Sequence, residues 1–306
     1  MSILQSLQKD LLFLSMLCFF IVVTTTFSLV ESLKPIDPYD FYFYAGDVSA
    51  MPVLQEGKNV PILTAQGVIA VDLDSAVILY EKNPDLKLLP ASTTKMMTAL
   101  VAMELYNLND VVTVTNGKVA GQNMKLYPGE KISVYNLLQG LLIFSANDAA
   151  EALANHHPLG RAGFVEAMNQ KARSLSLTNT HFVNPSGLED TGHVSTARDL
   201  LRLSEVCMRN PVFAEIVGTK QTVVFNQENT YKHYLTNVNE LLGTVEGVRG
   251  IKTGWTENAR ENLVTYVNRD GKNIIIALLG SQDRFEETEK LIDWIFDSYT
   301  WEKIDY

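Results

Sequence analysis

The chain has 306 residues, 46% of them apolar and 20% charged, with Gly and Pro at ordinary levels. That length sets one or two domains, and the composition excludes a disordered or collagen-like chain. The formal net charge is −10, and no Lys/Arg cluster gathers to grip phosphates, so nucleic acid is not an expected partner.

The run Leu11–Val30, "LLFLSMLCFFIVVTTTFSLV", carries no charge. At ~1.5 Å per residue it matches a ~30 Å hydrocarbon core. A signal-peptide apolar region is usually shorter and followed by an A-x-A-like site. Here "TTTFSLVESLKPIDP" follows, without one. The expectation is an uncleaved signal-anchor over 11–30 behind a cytoplasmic segment 1–10. A cleaved signal peptide, and so a secreted protein, is the alternative. The α-amino group and Lys9 precede the span against one Asp10, while Glu31, Asp37 and Asp40 follow it against one Lys34. The positive-inside rule then places the bulk of the chain outside the cytoplasm. Cys18 lies in the span and Cys207 in the globular part, so no disulfide framework and no metal-type spacing arises.

Residues 31–60 read as a proline-rich linker without sustained period. Its aromatic group, Tyr39 and Phe41 to Tyr44, suits either a membrane surface or a packed domain edge. The folded unit is expected over 61–306. "GVIAVDL" and "AVILYEK" predict two strands joined at Asp74-Ser75. An apolar helix follows in "LPASTTKMMTALVAMELY", then a strand in "DVVTVT". "KISVYNLLQGLLIFSANDAAEALANH" predicts two helices, the second from about Ala146. "GRAGFVEAMNQKARSLSL" is amphipathic, with Phe164, Met168 and Ala172 on one face. The next helix has Ser195 as N-cap and Pro211 as stop. Strands return in "QTVVFNQ" and "VRGIKTGW", then in a hairpin turned at "RDG". "RFEETEKLIDWIFDSYTW" closes as a helix. Strands at both ends with helices between them predict an α+β fold, an antiparallel sheet completed by both chain ends.

Three short patterns carry chemistry. Ser92 and Lys95 share a face at a helix start. A Ser hydroxyl attacks only when a base takes its proton. A Lys amine is such a base only if burial or another cation lowers its pKa. Amides at the helix N-terminus also favour a developing anion. The plainer reading makes Ser92 an N-cap. In "FSANDAAEAL", Ser145 can shuttle a proton and Asn147 can bind a substrate carbonyl; capping of the next helix is the alternative. In "GIKTGWT", Lys252 can meet a substrate carboxylate and depress the pKa of Lys95. Thr253 adds a donor, Gly254 permits close backbone approach, and the Trp255 amide pairs with the Ser92 amide at an oxyanion. An ordinary strand with a Gly bulge fits too.

In this order, S-x-x-K, S-x-N and K-T-G form a serine acyl-transfer signature. With "YPGEKISVYNLLQGLLIFSANDAAEALA" and "NTHFVNPSGLEDTGHVSTARDL", they make the chain resemble the D-alanyl-D-alanine carboxypeptidases, low-molecular-mass penicillin-binding proteins of the serine DD-peptidase type, from about Leu63 to Trp301. The resemblance implies a β-lactamase/DD-peptidase-like fold: an antiparallel sheet flanked by helices, an all-helical lobe, and the site between them. It implies Ser92 as acyl-enzyme serine, Lys95 as base, Ser145 and Asn147 beside them, Lys252 for the substrate carboxylate, and Arg284 as its helper. The implied substrate is a peptidoglycan stem peptide ending in D-Ala-D-Ala, with β-lactams as covalent inhibitors and no cofactor or metal. The implied location is a bacterial cell membrane, with the span at 11–30 replacing the C-terminal anchor that many members carry. Arg260 stands where Gly is usual, and "NLVTYV" lacks the common small residues; both touch substrate preference. A DD-endopeptidase would use the same residues. A class A β-lactamase would want S-D-N, but residue 146 is Ala. An inactive wall-binding scaffold would be expected to lack Ser92, Lys95 or Lys252.

Overall fold

The structure, a computed structural model, describes residues 50–115 and 119–303. The expected segments 1–10 and 11–30, and the linker as far as residue 49, lie outside the described residues. Among those described, no helix is long and apolar enough to cross a membrane.

In chain order come β1 (Ala50–Leu54), β2 (Gly67–Asp72), β3 (Ile78–Lys82), a 3-10 turn (Ala91–Thr94) and α1 (Lys95–Leu105). Then follow β4 (Val111–Thr113), β5 (Lys131–Ser133), α2 (Val134–Leu142), α3 (Asn147–Asn155), α4 (Gly160–Ser174), α5 (Ala197–Met208) and α6 (Pro211–Val217). The chain ends with β6 (Gln221–Phe225), β7 (Lys232–Thr236), β8 (Val248–Thr256), β9 (Arg260–Arg269), β10 (Lys272–Ser281), α7 (Arg284–Ser298) and β11 (Tyr299–Lys303).

The main sheet has the order β3-β2-β10-β9-β8, with every neighbouring pair antiparallel. Its central strands are covered on both faces, so "NIIIALLG" needs no polar alternation. One face carries Val68, Ala70, Leu263, Val267, Ile274, Ile276 and Leu278 against Leu291, Ile292 and Ile295 of α7. Side chains alternate along a strand, so Ile69 and Ile275 face the other way, where α5 packs on β2 and β10. The helical part surrounds α1, buried from Lys95 through Ala102 and in contact with α2, α3, α4 and α5. A helix apolar all round belongs inside. The predicted α+β order, with both chain ends in one sheet, is the observed one.

Several boundaries differ from expectation. β1 lies inside the predicted linker and pairs antiparallel with β11, Ala50 opposite Lys303 and Leu54 opposite Tyr299. The closing helix therefore stops at Ser298, three residues before Trp301, whose indole N–H donates to Asp72 at 2.9 Å. The N-cap of α5 is Thr196, which accepts from the Asp199 N–H, while Ser195 bonds Thr180. α5 stops at Met208, ahead of Pro211 as expected, and Pro211 also starts α6 behind an Asn210 cap, where its missing N–H costs nothing. Lys131–Ser133 pairs with β4 before Ser133 caps α2.

Candidate active site

A cleft of about 770 Å³ opens where the Ser92 turn, the start of α3 and the edge strand β8 meet. Ser92, Ser145, Asn147, Thr253, Gly254, Trp255 and Arg284 all line it. Lys95 and Lys252 lie just beneath, fully buried. All nine residues singled out from sequence thus converge on one place.

Ser92 does not begin the α-helix. It sits in the 3-10 turn ahead of Lys95, the first residue of α1. In such a turn residues i and i+3 eclipse, which stacks Lys95 under Ser92. The Lys95 Nζ lies 2.7 Å from Ser92 Oγ and donates to the Ser186 carbonyl at 2.6 Å. Burial, then the charge of Lys252, pushes its pKa well below 10.5; Asp148 and Glu151 pull weakly the other way. A neutral amine 2.7 Å from a hydroxyl can accept its proton.

Ser145 occupies the bend between α2 and α3 with φ of 62°, a left-handed conformation costly for a side chain other than glycine. This aims its hydroxyl at β8, where Lys252 Nζ donates to it at 3.0 Å and to the Thr253 carbonyl at 3.0 Å. Burial, then the Arg284 charge, lowers the Lys252 pKa to about 7. The bonds of Lys95 go to Ser92 and Ser186, while Ser145 and Asn147 line the same cleft and bond other groups. Ala146, not Ser145 or Asn147, is the N-cap of α3, without a side-chain bond. Asn147 instead holds the loop 119–127: its N–H donates to the Gln122 carbonyl and its Nδ2 to the Ala120 carbonyl, both at 2.7 Å. One of its two side-chain donors is thereby committed.

Gly254 differs from expectation. A Cβ there would lie 3.0 Å from the Pro90 carbonyl and 3.1 Å from the Ser92 nitrogen. The missing side chain admits the protein's own Ser92 turn rather than a substrate backbone. Trp255 is 62% exposed on the cleft wall. Arg284 begins α7; its NH1 donates to the Gly254 carbonyl at 3.2 Å, and its buried Nε has no partner among the described residues. Arg260 takes φ of 57°, which accounts for a glycine suiting this turn, and Thr256 and Glu257 rather than Arg260 reach the cleft.

Sequence reasoning missed the seat of Lys95. In "NPSG", Asn184 Oδ1 accepts from the Ser186 and Gly187 N–H groups at 3.2 and 2.8 Å. This presents the Ser186 carbonyl to Lys95. Asn-Pro and Ser-Gly announce a turn, but nothing local says what a turn packs against. His193 buttresses the same region. Its Nδ1 accepts from Val183 N–H at 3.1 Å, so Nε2 holds the proton and donates to Thr94 at 2.8 Å. Burial pushes its pKa down to about 4. Among the described residues, no group of three or more His, Cys, Asp or Glu could hold a metal ion.

The family of D-alanyl-D-alanine carboxypeptidases matches residues 55–283. D-alanyl-D-alanine carboxypeptidase DacF of Bacillus subtilis is 33% identical over 80% of this chain, which spans 66% of that protein. DacB2 of Mycobacterium tuberculosis, also named a D-alanyl-D-alanine carboxypeptidase, is 36% identical over 79% of this chain and 87% of its own length. The crystal structure of the Streptomyces K15 DD-transpeptidase superposes with a TM-score of 0.74 at 32% identity, covering 78% of this chain and 99% of that one.

Proposed function

This chain belongs to the D-alanyl-D-alanine carboxypeptidase family, and we propose that it is a serine-type D-Ala-D-Ala carboxypeptidase acting on peptidoglycan stem peptides. The observation that carries the reading is the Ser92–Lys95 pair, 2.7 Å apart, with the lysine buried and its pKa lowered. Lys95 takes the hydroxyl proton as Ser92 Oγ attacks the carbonyl of the penultimate D-Ala. The oxyanion rests on the Ser92 and Trp255 amides. Ser145, bonded to Lys252, relays to the leaving nitrogen the proton that Lys95 took from Ser92, as the C–N bond breaks and D-Ala departs. Water then hydrolyses the ester, and Ser92 regains its proton. Asn147 orients the peptide. Lys252, Thr253 and Arg284 hold the terminal carboxylate, Lys252 recovering its charge as the anion arrives. β-Lactams acylate Ser92 by the same route.

The domain reading completes this: residues 11–30 anchor the chain in a bacterial membrane, with the catalytic unit on the extracytoplasmic side. The test is release of D-Ala from diacetyl-L-Lys-D-Ala-D-Ala by wild type, Ser92→Ala and Lys95→Ala. Release by the wild type alone is expected. Penicillin labelling of Ser92 without release would move the substrate to cross-linked peptides and an endopeptidase. Neither release nor labelling would overturn the enzyme reading in favour of an inactive scaffold.

A further inference from the structure

Outside the catalytic groups lies a second buried charged pair. His233, on the inner face of β7, has its Nε2 2.7 Å from Glu130 Oε1 and its Nδ1 2.9 Å from the Met124 carbonyl. Its side chain is 3% exposed and that of Glu130 0%. A carboxylate and a carbonyl both accept only, so both ring nitrogens must donate. The geometry therefore calls for an imidazolium. Burial opposes that charge, but the Glu130 bond and charge and the Met124 carbonyl outweigh it, holding the pKa above 6.5.

What this cation grips is the loop that walls the cleft. Residues 119–127 hang from α3 on one side: the Asp148 carboxylate accepts from the Met124 and Leu126 N–H groups at 3.1 and 3.0 Å. Asn147 bonds Ala120 and Gln122, and Gly121 and Gln122 line the cleft. On the other side the loop has His233 at Met124 and Glu130 at the Tyr127 N–H, 2.9 Å away. The acidic groups acting on His233 are Glu130 and Asp148. Lys232 beside it in sequence is exposed, as are Lys125 next to Met124 and Lys131 next to Glu130, and β6 sets Val224 opposite it.

We propose that His233, as a buried imidazolium paired with Glu130, is a positioning residue that clamps the 119–127 loop, and with it Asn147, into the acylation-competent cleft. When the imidazolium loses a proton, Glu130 keeps the remaining one on Nε2. The Nδ1 lone pair then faces the Met124 oxygen at a distance that suits only a hydrogen bond. Two acceptors in contact repel, and the loop loses its hold on that side. While Glu130 is ionised, the clamp is therefore engaged below the folded pKa of His233 and released as pH rises through it. This inference rests on the acyl-transfer reading of the cleft, but its physical core does not.

The test is an NMR pH titration of the full chain beside Glu130→Gln and His233→Gln. In the wild type both His233 ring nitrogens should carry protons at neutral pH, and the Gly121 and Gln122 amide shifts should move with the His233 titration. In Glu130→Gln both movements shift together to lower pH. In His233→Gln the loop amides no longer titrate there. A singly protonated ring at neutral pH, or loop amides that ignore it, overturns the proposal whatever the enzyme does. Second-order labelling of Ser92 by a fluorescent penicillin supplies the functional arm. Its rate in His233→Gln should fall about tenfold, well short of the ~10²-fold that an ångström's misplacement costs. Its alkaline decline in Glu130→Gln should begin at lower pH than in the wild type. Equal rates in a folded His233→Gln, or an unmoved alkaline decline, also overturns it. Absent labelling in the wild type, with the NMR behaviour intact, refutes the acyl-transfer reading and with it the functional half of the clamp.

Discussion

Replacing Gly187 by Ala adds one methyl group, and the structure says where it goes. The Cβ would fall 1.9 Å from the Ala91 carbonyl oxygen, about 1.5 Å short of the 3.4 Å at which contact becomes ordinary. Both sides are backbone, so no flexible side chain can give way. The two clashing segments are also the two that hold Lys95: Ser92 on one side and the Ser186 carbonyl on the other. Forcing them apart by even an ångström misplaces the base from the hydroxyl, at a cost of ~10²-fold in rate. Gly187 also has φ of +85°, which adds roughly 1–2 kcal/mol of backbone strain to any L side chain. Gly129 separates the two effects. Its φ is +84°, but nothing lies within 4 Å of its Cβ position. Gly129→Ala should carry the strain without the clash. The assay is D-Ala release and penicillin labelling of both variants beside thermal unfolding. Gly187→Ala should lose about 10²-fold in acylation while Gly129→Ala stays within about twofold. A folded Gly187→Ala with near wild-type acylation would refute the seat assigned to Lys95.

Three further outcomes follow from the same geometry. Lys95→Arg puts there a cation that cannot deprotonate, so labelling of Ser92 should fall by roughly 10²–10⁴ in a stopped-flow assay. Lys252 has its pKa lowered from 10.5 to about 7. The folded chain thus sheds a proton that the unfolded chain keeps, so stability should rise from pH 7 toward 10.5, and denaturant titrations of Lys252→Met should lack that rise. Glu287 accepts from the Thr64 and Ala65 N–H groups and the Ser281 hydroxyl. Burial opposes its ionisation, but those bonds hold its pKa below 4.5, so their stabilisation is present above 4.5 and lost as pH falls through the folded value. Glu287→Ala orphans buried donors and should cost about 1–3 kcal/mol in urea unfolding.

What the sequence makes legible here is local. The α1 helix shows itself because an apolar surface all round has one destination. β2 and the β9–β10 hairpin show themselves by apolar runs and a turn. The site residues were visible as residue types whose burial would otherwise be unreasonable, a lysine at the head of a core helix above all. What stayed hidden depends on distant partners. "AMPVL" has nothing strand-like about it until "YTWEK" supplies the other half of the ladder, some 250 residues away. Gly254 looks like room for a ligand until the Ser92 turn is seen to fill it. His233 and Glu130 lie 103 positions apart, and neither alone predicts a buried ion pair.

The two lysines explain why one polar cleft can be built into an apolar interior. Each would be costly to bury as a cation. Burial lowers both pKa values, and the Lys252 charge lowers that of Lys95 further. The roles diverge through their partners. Lys95 meets only neutral oxygens, Ser92 and Ser186, and so is suited to stay an amine and take a proton. Lys252, poised near 7 beside Arg284, needs only an arriving carboxylate to regain its charge. In this reading the substrate itself completes the electrostatics: its anion favours the charged form of Lys252, and that cation keeps Lys95 a neutral amine until it takes the Ser92 proton. The chemistry and the recognition of the peptide end are thus coupled through one repulsion, and a substrate without a terminal carboxylate should lose acylation rate as well as binding.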